Sequence, residues 1–442
     1  MLYTSPMKRM LLIEDTMANK ISFWHLAFFL VLLPFDFFYS QVVLISYAVH
    51  TLIHCKKDRL RLLFTRSVLV LIVLYFVGLL TILYSHDRQE GFNVTGRQTA
   101  LLLIPVLFVV NELDLNKYKL LLLRIFALTC VVVILYLYVD VLKTMQAVHL
   151  PFSSLFSNAF INQNFSAPIG LHATYLSMYV ALSILVFLVY LVQPASFIQR
   201  CWYVAAILIL SAGLLQLSSR AVVIALLIIV NLAFPFFMLK GKKRLLFIII
   251  ATLISAAGIF FITTVNSFKV RYIGELKNDL TQVSVNNEIL EPRVMRWKLA
   301  MQLVKRAPLA GYGNGSEKGI LKQLYFDNKL FISYLNEFNA HNQYLSFLLK
   351  AGIIGLLIYL YVLFFGFALA VKQKDFLFLG FMIIVAVVSV SENILDVNKG
   401  IFFYSFFMSL FVLANSSGIF YKRQPAPPLE RFDIKESHLK EE

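Results

Sequence analysis

Long uninterrupted apolar runs constrain this chain more than any other feature. Leu246 to Thr263 and Ile354 to Val371 are two of the clearest. A run of roughly 18–20 apolar residues is the length a helix needs to cross a bilayer. The chain has 442 residues, 60% of them hydrophobic and only 14% charged, so many such runs fit. They do not alternate in the ~10-residue segments of a membrane β-barrel. The expected fold is therefore an all-α, polytopic integral membrane protein. About twelve spans are expected, near 21–37, 39–54, 67–84, 98–110, 120–142, 169–192, 202–217, 220–238, 245–263, 344–370, 375–391 and 400–419. Polar residues (Lys8, Arg9, Glu14, Asp15) precede the first run, and no small-residue cleavage site follows it, so no removable signal peptide is expected.

Charge sets the orientation. The net charge of +16 would suggest nucleic acid in a soluble protein. Here the cations cluster in short inter-span loops, as the positive-inside rule demands, and no nucleic-acid partner is expected. Lys56, Lys57, Arg59, Arg61 and Arg66 form one such loop, and Lys240, Lys242, Lys243 and Arg244 another. With twelve spans and a cytoplasmic N-terminus both fall inside, together with Lys117, Lys119, Arg200, Lys372, Lys374 and the tail from Lys422. The expected organisation is spans one to nine over 1–263, a large periplasmic loop over 264–343, spans ten to twelve over 344–419, and a disordered cytoplasmic tail over 420–442. The three cysteines (Cys55, Cys130, Cys201) have no paired spacing and suggest neither disulfide nor metal site.

Several polar features converge on the outward side. Leu217-Ser218-Ser219-Arg220 makes a tight connection that leaves Arg220 at the start of the eighth span. It reads equally as a snorkelling anchor or as a ligand-binding cation. Glu291-Pro292-Arg293 opens a segment in which Val294, Trp297, Met301 and Val304 recur at helical spacing. This predicts an amphipathic helix lying on the bilayer, with Pro292 as its first residue and Arg293 and Arg296 at headgroup level. A structural surface helix is the alternative. Gly311-Tyr312-Gly313-Asn314-Gly315 resembles a phosphate-cradling loop but lacks the Lys-Ser/Thr and the βαβ setting, so it reads as a flexible turn. His341-Asn342 opens the tenth span, with Asn342 placed as its cap and Gly352 and Gly355 deeper in it, where they would allow close helix packing. A lone helix-end histidine is usually structural; Arg220 and Arg293 on the same face argue for chemistry. His172 opens the sixth span after Asn162, Gln163 and Asn164 and would line the same cavity with Tyr175, or simply sit among headgroups. Outward carboxylates such as Glu275, Asp279, Glu392 and Asp396 look scattered. There is no Asp-x-Asp, His-Glu-x-x-His or Walker motif, so neither a metal, a cofactor nor ATP-driven transport is expected.

These residues resemble the signature of the O-antigen ligase family, which also holds related polysaccharide polymerases and protein O-oligosaccharyltransferases. The match is His341-Asn342, nine residues, then Gly352-Ile353-Ile354-Gly355, with Pro308-x-x-Gly311-x-Gly313 following Trp297 and with Ser219-Arg220 upstream. It runs over about 205–365. The resemblance implies a glycosyltransferase in a bacterial inner membrane with its site facing the periplasm. The donor would be a glycan on undecaprenyl pyrophosphate and the acceptor the hydroxyl of lipid A-core or of another glycan. On this reading Arg293 and Arg220 would hold the pyrophosphate and His341 would act as base, supported by Asn342, Arg296, Trp297, Gly352 and Gly355, with His172 lining the same cavity. The transfer would be inverting and metal-independent. A polymerase, the protein-modifying branch, and a transporter without chemistry are the competing readings. The scarcity of charge inside the spans speaks against the last, since Asp36, Arg124 and Lys350 each lie within reach of a membrane boundary.

Overall fold

The computed structural model describes residues 13–280 and 291–416. Lys8 and Arg9, residues 281–290 of the expected large loop, and the expected tail over 420–442 lie outside the described residues. Among those described there is no strand, and the chain is an all-α polytopic membrane protein. Its principal helices are α1 (Met17–Leu32), α2 (Phe37–Ile53), α3 (Arg66–Thr81), α4 (Arg88–Arg97), α5 (Ala100–Val110), α6 (Leu115–Ala147), α7 (Ala173–Val192), α8 (Phe197–Leu217), α9 (Arg220–Met238) and α10 (Gly241–Thr264). They continue with α11 (Arg293–Arg306), α12 (Ser316–Asp327), α13 (Gln343–Lys372), α14 (Phe376–Val388) and α15 (Asn398–Asn415). Among the described residues, 8 helical stretches are long and apolar enough to cross a membrane, with α4 and α5 forming one of them. α1, α2 and α14 are apolar but shorter. The expected short span at 98–110 is thus the second half of a longer element.

The bundle is organised around α7, whose membrane-length window is 83% buried. It packs against α6, α8 and α14, while α15 packs against α5 and α6. Ring stacks such as Tyr179 on Phe403 and Phe378 on Phe411 fill the centre. α10 is the opposite case: only 11% of its window is buried. Between it and α7, α8 and α9 lies an apolar trench of ≈ 270 Å³. In lipid, apolar surface of this kind has no reason to hide, so a peripheral helix with an open trench beside it is stable.

The described part of the segment between α10 and α13 is packed. α11 buries Leu299, Ala300, Leu303 and Val304 against Leu321 and Tyr325 of α12 and Leu345 and Leu349 of α13. Of the stripe expected to face lipid, Val304 is buried here and Trp297 packs against this cluster, whereas Met301 is exposed. Pro292 precedes α11 as its cap residue rather than opening it.

The most consequential departure lies inside α13. Gly352 has φ 60° and ψ −158°, a conformation essentially reserved for glycine, and it interrupts the helix roughly 14 Å from its start. A break strands backbone groups that bilayer lipid cannot satisfy. The stretch from Pro308 to Gly313 satisfies them. Ile353 N–H donates to the Pro308 carbonyl (2.8 Å), Tyr312 N–H to the Leu349 carbonyl (2.8 Å), and Gly313 N–H to the Lys350 carbonyl (2.9 Å). A Cβ on Gly352 would lie 2.2 Å from the Leu309 carbonyl oxygen. Gly352 therefore serves a loop-to-helix clasp, not helix–helix packing, and the nearest neighbour of a Cβ on Gly355 would be Ala351 of the same helix. Nor is the Gly311–Gly315 stretch a loose turn. Asn314 is buried and donates to Thr95 Oγ1 (2.9 Å), and Ser85 Oγ donates to the Asn314 carbonyl (2.8 Å).

Gly352→Ala is expected to lower stability by on the order of 3 kcal/mol, the sum of a forbidden backbone conformation and a backbone clash. Gly319→Ala, in α12 with nothing within 4 Å, is expected to be neutral or stabilising by roughly 0.5–1 kcal/mol. Thermal unfolding of both variants in detergent checks the pair.

Candidate functional site

The site gathers at the end of the bundle where α8 turns into α9 and α13 begins. Ser218 adopts a left-handed conformation (φ 50°, ψ 37°) that reverses the chain, so Arg220 becomes the first residue of α9. Gln216 anchors this turn, donating to the Leu155 and Phe160 carbonyls (2.7 and 2.6 Å), and its own backbone carbonyl accepts from Asn162 N–H (2.8 Å). Arg220 Nη2 pairs with Asp279 Oδ2 at 2.6 Å. Its Nη1 is buried and finds no hydrogen-bond acceptor among the described residues.

Arg293, at the start of α11, faces the same carboxylate, with Nε 3.9 Å from Asp279 Oδ2. Its Nη1 donates to the Ser391 carbonyl (3.0 Å), and Nη2 lies 3.8 Å from Glu392 Oε1. Glu392 Oε2 is in turn 3.4 Å from His341 Nδ1. A continuous path of alternating charge thus runs Arg220, Asp279, Arg293, Glu392, and it ends at His341. Asp279 and Glu392, which look scattered in sequence, are the two links that join the three sequence-identified side chains. Arg271, held by Glu275, stands close enough to His172 to bear on its protonation.

The electrostatics favour an ionised Glu392. Burial alone would raise its pKa, but the hydrogen bond from His341 and the charges of His341, Arg293 and His172 outweigh that and hold it below the usual value. His172 caps α7 by accepting from Thr174 N–H at Nδ1 (3.3 Å). Desolvation holds its pKa below the usual histidine value; Glu392 pulls it upward, while His341, Arg271 and Arg293 lower it further.

The remaining sequence-identified residues sort by what they touch. Asn342 caps α13, accepting from Leu345 N–H at 3.1 Å. Trp297 donates its indole N–H to the Ala340 carbonyl (2.8 Å), fixing the residue before His341 rather than seating a helix in lipid. Arg296 is buried, with its guanidinium 4.9 Å from the Phe338 ring, and that ring meets His341 edge-on at 5.5 Å. It is packed inside the polar segment instead of being displayed at headgroup level, and burial lowers its pKa. Gly352 and Gly355 are not brought to the charged path; they belong to the break in α13. Lys350, which reads from sequence as a boundary residue, is paired with Asp396 and Glu317. Among the described residues no group of three or more His, Cys, Asp or Glu is placed to hold a metal ion.

Two guanidinium groups side by side are suited to an anion with several oxygens, such as a phosphate. An imidazole whose Nδ1 faces a carboxylate leaves Nε2 to exchange a proton. The folded-state pKa of Glu392 lies below its ordinary value of 4.5, so its contribution to stability is full above that pH and is lost as pH falls through the lowered value. The stability difference between the wild type and Glu392→Gln is therefore expected to shrink as pH is lowered from about 5 into more acid solution. Thermal unfolding of both proteins across that range measures it.

The chain matches none of the curated proteins. Residues 204–360 match the family model described as O-antigen ligase. That stretch contains the α8–α9 turn with Arg220, helix α11 with Arg293, and the His341-Asn342 start of α13 through to Gly355. The match carries with it a glycosyltransferase-like activity on lipid-linked glycans. Through this region the chain is similar to the O-antigen ligase family.

Proposed function

We propose that this protein transfers a glycan from undecaprenyl pyrophosphate to an acceptor hydroxyl, that of lipid A-core, at the periplasmic face of a bacterial inner membrane. The observation that carries the reading is the charged path itself: two arginines that meet at one carboxylate, the second of them sharing another carboxylate with a histidine. The apolar trench supports it. Leu214, Leu215 and Val223, close to Arg220 on either side of the α8–α9 turn, line the trench, so a polyprenyl chain lying there would bring its pyrophosphate to the arginine pair.

In this reading Arg220 and Arg293 take the pyrophosphate oxygens and stabilise the charge that develops as the glycosidic C–O bond breaks. The acceptor oxygen forms its bond to the anomeric carbon from the opposite face, which inverts that centre. The bonding pair of the broken bond leaves on undecaprenyl pyrophosphate, and the hydroxyl proton passes to His341 Nε2. Glu392, accepting from Nδ1–H, fixes that tautomer and stabilises the imidazolium that forms. No step requires a metal.

His341→Ala is expected to cut transfer by about 10²–10⁴-fold and Arg293→Ala by about 10²–10³-fold, at normal protein level. Arg293→Lys is not expected to restore the rate, because an ammonium cannot pair with two oxygens in one plane. Full activity in His341→Ala would remove it from the chemistry. Glycan analysis of cells lacking the protein tests the acceptor. Long glycans left on the lipid carrier with bare core at the surface support a ligase. Single repeats still reaching the core mean a polymerase that extends lipid-linked chains, and an unchanged lipopolysaccharide with unglycosylated proteins means the protein-modifying branch.

A further inference from the structure

Four consecutive backbone amides around His341 are each held by a different partner. Ala340 N–H donates to Glu317 Oε1 (3.0 Å) and His341 N–H to Asn339 Oδ1 (3.0 Å). Asn342 N–H donates to Asn393 Oδ1 (2.8 Å) and Gln343 N–H to the Ser389 carbonyl (2.8 Å). Between them His341 sits at φ 45°, a left-handed conformation that a histidine adopts only where its surroundings impose it.

Glu317 controls two of these four bonds. It is only 3% exposed, and its Oε1 also accepts from Asn393 Nδ2 at 3.2 Å. That contact, with Asp396 Oδ2 accepting from the same Nδ2 (3.0 Å), turns the Asn393 amide so that its oxygen faces Asn342. The other carboxylate oxygen, Oε2, accepts from Ser346 Oγ and lies 3.2 Å from Lys350 Nζ, which also binds both oxygens of Asp396 at 2.7 Å. Burying a carboxylate is costly without a partner and several donors, and Glu317 has both. It lies on α12, in the polar segment, while Lys350 lies in α13, beside the break at Gly352.

We infer that Glu317, with Lys350 as its counter-ion and Asn393 as its relay, is a positioning residue for His341. It clamps the backbone on both sides of the histidine in the one conformation that aims the imidazole at Glu392. This rests on the reading of His341 as the proton acceptor. Glu317 touches neither the imidazole nor the arginines among the described contacts, so its loss should change the rate of transfer and not the hold on the donor. Misplacing a reacting group by about 1 Å can cost about 10²-fold.

The test compares wild type with Glu317→Gln, an exchange of one acceptor oxygen for an amide donor at constant size. Membranes from cells lacking the protein supply donor and acceptor glycolipids, and undecaprenyl pyrophosphate itself is the binding probe. Expected are a transfer rate per folded protein lowered by about 10- to 100-fold and an unchanged thermal stabilisation by undecaprenyl pyrophosphate. In a His341→Ala background the same change should cost nothing further, since it acts through the histidine. Asn393→Ala should give the same pattern by cutting the other clamp. If Glu317→Gln fails to accumulate, Glu317→Gln with Lys350→Met removes both members of the pair, and the same loss of rate is expected. Transfer within about twofold of wild type in any of these variants, or an equal further loss on top of His341→Ala, overturns the inference. Full activity of His341→Ala alone would instead overturn the reading on which it rests.

Discussion

A helix in lipid must satisfy its own backbone, and everything at the site follows from one place where this one does not. Gly352 interrupts α13, and the stranded groups on either side are met by Pro308, Tyr312 and Gly313. That clasp fixes the polar segment to a span instead of leaving it to drift over the membrane. With it come α11, which carries Arg293, and α12, which carries Glu317. The interruption that looks like a defect in the span is what gives the polar segment a fixed address.

The second organising force is charge placed where water is scarce. Arg220, Arg293 and His341 come from three elements far apart in sequence, and Asp279 and Glu392 hold them within a few ångströms. Removing one carboxylate from such a path costs more than any single pair is worth, because the remaining like charges then face one another in a medium of low dielectric constant. A second, independent group of charges, Glu317, Lys350 and Asp396, lies on the other side of Asn393 and acts on the backbone instead.

Much of this is legible in the order of the residues alone, and the reasons for what is not are physical. Apolar length announces the helices, and Asn342 announces its own cap. Arg220 and Arg293 are conspicuous because cations beside apolar runs are expensive. Glu392 is not, because 51 residues separate it from His341 and no periodicity links an inter-span turn to a helix start. The helical spacing in α11 picks out Trp297 and Val304 but passes over Leu299, Ala300 and Leu303, whose burial depends on partners in α12 and α13. Arg296 is misread with it, since a buried arginine over a phenylalanine and an exposed one at a headgroup share the same letter in the chain. Gly352 carries no sign of its φ, and the pattern of two glycines near one another suggests helix packing with equal force.

Asp279 gives the arginine pair a resident anion. Any incoming phosphate therefore enters by exchange and not by simple addition, since it must take Arg220 from a carboxylate already 2.6 Å away. A tethered competitor of this kind acts at the high effective concentration of an intramolecular group. It weakens capture, but it also waits beside the bound anion and reclaims the arginines as soon as that anion loosens. Under the proposed function, in which the spent carrier is a strongly charged lipid, such an arrangement supplies a built-in means of letting go.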